Sequence, residues 1–143
     1  MKICVISFDF WGYDAHIVET LKEKGIEANH IKIGAVSYEN FGERLTNLFS
    51  KVFLGKNLKY QKRQKFVIEQ LDKLGHQDQI LVLNADTFDH SILEYMKKCT
   101  DRFITFLYDN LDRCPVQDKL HFFDKIYSFD DKDIEKHGFE RLT

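Results

Sequence analysis

Proline is almost missing from this chain of 143 residues: Pro115 is the only one, and no apolar run approaches the ~20 residues that span a bilayer. Cysteine is scarce too. Cys4, Cys99 and Cys114 are odd in number and have no Cys-x-x-Cys spacing or nearby histidine pairing. That argues against a disulfide framework and against a metal site, and predicts reduced, buried thiols. Excess charge of one sign is also lacking. The net charge is -2, so the molecule as a whole carries no nucleic-acid signature. There is no Gly-x-x-x-x-Gly-Lys-Ser/Thr loop for phosphates, no Gly-x-Gly-x-x-Gly after the first strand, and no Gly-x-Ser-x-Gly elbow. The apolar run from Lys2 meets Asp9 too early for a signal peptide, which predicts a cytoplasmic start.

What is present is an alternation of strands and helices. Apolar residues make up 43% of the chain and charged residues 31%, with thirteen phenylalanines. That composition suits one domain with helices layered on a sheet. Residues 2–8 form a nearly continuous apolar run containing β-branched Ile3, Val5 and Ile6, as in a central strand covered on both faces. Asp14 to Gly25 reads as a helix. Residues 26–33 read as a weaker outer strand, with a bulge near Asn29 and His30.

Residues 39–54 and 57–74 read as two helices separated by Gly55. Residues 79–84, 102–108 and 125–129 are further strands. Between them come a helix from Ser91 to Cys99, with Ser91 and Glu94 as a capping box, and one over 115–122 begun by Pro115. A last helix, capped by Asp130 or Asp131, ends at Gly138, and 139–143 begins a sixth strand. The expected fold is therefore α/β: a three-layer, Rossmann-like (flavodoxin-like) domain spanning 1–143, with a parallel sheet of five or six strands. The apolarity of the first strand predicts the order 3-2-1-4-5. The chain stops where another strand should run, which suggests a piece of a longer protein.

In such sheets ligands bind where strands end. Those ends offer Asp9-Phe10-Trp11-Gly12-Tyr13, Asp86, and Asp109-Asn110-Leu111-Asp112-Arg113. Trp11 and Tyr13 suit stacking on a sugar or base, and Gly12 lets backbone approach a ligand. Phe10 and Trp11 equally suit covering the sheet end. Asp9, Asp86 and Asp109 fit roles as general bases, sugar-hydroxyl acceptors or metal ligands, and equally as helix caps. Arg113 fits either an anion grip or an ion pair with Asp109 or Asp112. His16, in the first turn after the aromatic loop, is the one histidine placed to face a cleft. A receiver domain would need an acidic pair after the first strand and a lysine ending the fifth; neither is present.

One stretch departs from the neutral balance. Residues 44–68 hold Arg44, Lys51, Lys56, Lys59, Lys62, Arg63 and Lys65, and no acid, with Phe49, Val52, Phe53, Leu54 and Tyr60 among them. Two readings are open. A basic, aromatic helix pair can lie on an anionic membrane surface. The same pattern is found on a solvated charged face over an ordinary core stripe.

The opening run from Lys2 to Asp14, the run Phe106 to Arg113 and the run Phe123 to Asp133 resemble bacterial surface-polysaccharide and lipopolysaccharide biosynthesis glycosyltransferases, in the branch of the spore-maturation type. The resemblance covers the whole chain but only the amino-terminal half of such an enzyme. It implies the GT-B arrangement of two Rossmann-like domains, with no bound metal or other cofactor required. It further implies that this half binds a glycan or lipid-linked acceptor while a carboxyl-terminal half holds the nucleotide-sugar donor. Asp9, then His16, would be the catalytic base. Trp11, Gly12, Tyr13, Asp86, Asp109, Asn110 and Arg113 would border the acceptor. The expected location is the cytoplasm, at the inner face of the plasma membrane if residues 44–68 meet lipid. The alternative is a non-catalytic flavodoxin-like binding or interaction module.

Overall fold

The structure is a computed structural model and describes residues 1–35, 41–55 and 57–142. The expected helix start at 39–40, Lys56 of the basic segment and Thr143 lie outside the described residues. Six parallel strands form one sheet: β1 (Lys2–Ser7), β2 (Glu27–Lys32), β3 (Gln77–Val82), β4 (Thr100–Phe106), β5 (Lys125–Ser128) and β6 (Glu140–Arg141). The connections carry α1 (Tyr13–Glu23), α2 (Phe41–Leu54), α3 (Leu58–Leu74), α4 (His90–Lys98) and α5 (Asp131–His137). This is the α/β, Rossmann-like architecture expected from the alternation of apolar runs.

The strand order is β2-β1-β3-β4-β5-β6, which corrects the predicted 3-2-1-4-5. β3 sits between β1 and β4 instead of at the outer edge. Its Ile80 and Val82 are as fully buried as Val5 and Ile6 of β1. Apolarity therefore could not rank the two strands. The α2–α3 connection carries the chain over β1, from β2 on one side to β3 on the other. In this order the chain reverses direction across the sheet between β1 and β3.

The apolar run of β1 is explained by its two covered faces. Cys4 and Ile6 pack with Ile80, Val82 and Phe103 beneath Val67 and Leu71 of α3 and Leu93 and Met96 of α4. On the opposite face Val5, Ala28 and Leu83 pack against Val18 and Leu21 of α1. β2 is the outer strand, as expected, but it pairs in unbroken register from Lys2–Glu27 to Ser7–Lys32, without the predicted bulge.

Three local expectations change. Gly12, in left-handed backbone at φ 78°, precedes α1 in place of Asp14, which lies one residue inside. Asp89 caps α4 by accepting from the Ile92 N–H at 3.0 Å, while Ser91 donates to that same carboxylate. The segment after Pro115 forms a 3-10 helix over Gln117–Phe122 and no α-helix.

Candidate functional site

The carboxyl ends of β1, β3 and β4 meet at the point where the chain reverses direction. Asn84, just past β3, joins the first two: its side-chain oxygen accepts from the Phe8 N–H at 3.1 Å. Asp14 joins the first and third. Its buried carboxylate accepts from the Asp9 N–H at 3.2 Å on one oxygen and from the Tyr108 hydroxyl on the other. Burial and the adjacent Asp14 charge hold the Tyr108 phenol well above its ordinary pKa, so it stays a donor.

Two concavities adjoin across Asn84 and Tyr108. One, of about 360 Å³, is bounded by Phe10, Trp11, Tyr13 and Asp14. The other, of about 250 Å³, is bounded by Asp86, Asp109, Arg113 and Cys114. Trp11 is 83% exposed, and Phe10 and Tyr13 are also largely open to solvent. The aromatic rings are therefore presented at the rim and do not plug the sheet end. Phe10 alone stacks inward, on Phe8, with ring centroids 4.9 Å apart. Between the rings and the carboxylates stands the Asn84 carboxamide, whose NH2 has no protein partner among the described residues.

The turn after β4 is held from both sides. Asn110 accepts from the Arg113 N–H at 3.0 Å, and buried Asp133 of α5 accepts from the Leu111 N–H at 2.8 Å. Asn110 is thus a turn former, and it does not line either concavity. Arg113 stands 3.2 Å from Asp109, the ion pair anticipated as one of its two roles, and its side chain remains mostly exposed. A planar guanidinium so placed keeps donors for an incoming carboxylate or phosphate.

Asp9 sits differently. It holds left-handed backbone at φ 53°, and its side chain is only 7% exposed. One carboxylate oxygen accepts from the Ala15 N–H at 3.1 Å, and the other lies 2.8 Å from the Lys32 ammonium. The Lys32 hydrogen bond holds its pKa below the ordinary carboxylate value. This carboxylate caps α1 and anchors the loop to β2; a general base needs an open lone pair and a higher proton affinity. His16 is exposed on α1, 3.7 Å from Glu19, and lines neither concavity. Gly12 likewise lines neither; it shapes the turn. Beneath the loop, Ser7 and His30 pair at 2.9 Å.

The structure therefore brings Trp11, Tyr13, Asp86, Asp109 and Arg113 around one edge and sets Asp9, His16, Gly12 and Asn110 outside its lining. Sequence reasoning missed Asn84 and Tyr108, which occupy the centre. Both immediately follow apolar strand runs, and that position was their signal. No group of acids, cysteines and histidines among the described residues could hold a metal ion. Comparison with protein-family models, with curated proteins and with solved structures finds no match.

Proposed function

We propose that this chain is the acceptor-side half of a glycosyltransferase that moves a sugar from a nucleotide sugar to a cell-surface glycan or lipid-linked acceptor. The observation that supports it is the pairing, at the point of chain reversal, of an exposed aromatic rim with a carboxylate- and arginine-lined concavity. Pyranose rings present an apolar face that stacks on Trp11 and Tyr13 and hydroxyls that bond to carboxylates and carboxamides. Arg113 would hold an acidic group of the acceptor.

Asp86 suits the base better than Asp9, because it is exposed and borders the concavity while Asp9 is capped and ion-paired. Asp86 would take the acceptor hydroxyl proton. The freed oxygen would attack the anomeric carbon, and the nucleoside diphosphate would leave with the bonding electrons. On this reading a second Rossmann-like domain supplies the donor site, and the work takes place at the inner face of the plasma membrane.

The test is saturation-transfer NMR on the 143-residue chain, with a panel of methyl pyranosides and oligosaccharides set against nucleotide sugars. Saccharide signals that weaken in Trp11→Ala and Tyr13→Ala are expected, with little nucleotide-sugar signal. In the full-length protein, Asp86→Asn should lower transfer about 10²–10⁴-fold. Nucleotide-sugar binding without saccharide binding would reverse the assignment of this half. Silence from both classes would favour the non-catalytic module.

A further inference from the structure

Helix α2 is turned the wrong way round for a soluble helix. Its polar stripe, Glu43, Asn47 and Ser50, faces the protein. The Glu43 carboxylate pairs with Lys62 of α3, and buried Asn47 accepts from the Leu58 N–H at 2.7 Å, at the start of α3. Its apolar stripe is Leu45, Leu48, Phe49 and Val52, spaced i, i+3, i+4 and i+7 on the opposite side. Leu48 is 58% exposed and Val52 68% exposed, and Leu45 and Phe49 are comparably open. A helix that folds only with its own domain normally buries this stripe and wets the other.

The charge around the stripe selects the occupant. Residues 44–68 carry seven cations and no acid in a chain of net charge -2. Arg44 and Lys51, two turns apart, edge the apolar stripe, and both are exposed. Lys62 and Lys65 border a concavity of about 350 Å³ between α2 and α3. Apolar side chains edged by cations match the acyl boundary and phosphate layer of an anionic bilayer. A protein partner would need an acidic rim matched to these positions, whereas an anionic bilayer supplies an apolar layer and a phosphate layer together.

The position is also telling. The amino end of α3 lies at the carboxyl edge of the sheet, where Arg63 stands over the Phe8 ring and Gln64 donates to the Thr87 carbonyl. The basic helix pair and the candidate site therefore open at the same end of the molecule.

We propose that α2 and the start of α3 form a docking surface for an anionic lipid bilayer, with Leu45, Leu48, Phe49 and Val52 entering the acyl boundary and the flanking cations meeting the phosphates. The proposal needs no sugar transfer, so it stands or falls apart from the reading above.

The experiment is vesicle flotation of the 143-residue chain, with phosphatidylcholine alone against phosphatidylcholine containing phosphatidylglycerol, at low and high salt. Binding is expected only to the anionic vesicles and should fall at high salt. Lys51→Gln should weaken it about fivefold. The double variant L48D/V52D should weaken it at least tenfold with an unchanged circular-dichroism spectrum, since both side chains already face water. Wild-type binding that ignores lipid charge and salt, or no binding at all, overturns the proposal without reference to any variant. So does a concentration-dependent dimer that L48D/V52D disperses, since a second copy would then be the occupant.

Discussion

Replacing Asp9 tests whether the loop after β1 is held by its carboxylate. Three contributions meet at this residue. It caps the Ala15 N–H, and loss of such a cap costs about 1 kcal/mol. Its partner Lys32 is half exposed, so screening limits the ion pair to at most about 1 kcal/mol. Its φ of 53° is a conformation that alanine adopts at a further cost of about 1 kcal/mol. Asp9→Ala should therefore destabilise the chain by about 3 kcal/mol. With an unfolding entropy of about 0.3 kcal/mol/K for a chain of this length, the Tm should fall by about 10 °C.

Asp9→Asn keeps the cap acceptor and tolerates left-handed backbone, so it should lose only the ion pair, about 3 °C. Asp9 has a folded pKa below its ordinary 3.8. Its ionic contribution is therefore complete above that value and is lost as pH falls through the lowered one. The Tm gap between wild type and Asp9→Asn should be constant from pH 7 to 5 and close below about pH 4. Scanning calorimetry on the three proteins across that range is the assay. An Asp9→Ala Tm within 2 °C of wild type would refute the reasoning, as would a gap that widens in acid.

Two further outcomes concern a half-buried histidine and a buried thiol. Burial lowers the His30 pKa from its ordinary 6.5, so the unfolded chain binds the proton first. Stability should then decline as pH falls below about 6.5, and His30→Gln should flatten that limb of a urea-melt series; an unchanged slope would show that His30 does not titrate on unfolding. Burial pushes the Cys4 thiol up to about 12, while Cys99 and Cys114 are only partly covered. An aromatic disulfide reagent should label the latter two in the native chain and Cys4 only after denaturation, and rapid native labelling of Cys4 would contradict the packing of β1.

Much of the fold was legible because parallel strands covered on both faces write themselves as unbroken apolar runs. Residues 2–8 announced β1 this way, and Gly25, Gly75 and Gly138 marked three helix ends. The position of β3 was not legible. Ile80-Leu81-Val82 is as apolar as Val5-Ile6, and sequence does not say which of two central strands touches β4. The shared edge of Trp11, Tyr13, Asp86, Asp109 and Arg113 was legible because loops at strand ends carry them. The Asp9–Lys32 ion pair was not legible, because Lys32 ends β2 and only the β1–β2 register brings the two together. The orientation of α2 was hidden for a similar reason: an amphipathic pattern fixes that a helix has two faces, and its neighbours decide which one is wetted.

The Asp14–Tyr108 hydrogen bond spans 94 positions in sequence. Drawing those ends together in an open chain costs about 4 kcal/mol of closure entropy, which one hydrogen bond does not return. That cost is borne by the sheet, in which β3 lies between β1 and β4 and holds the two ends at a fixed spacing. The two strand-end loops are therefore joined by the sheet as a whole, and the hydrogen bond fastens an approach that the sheet has already made.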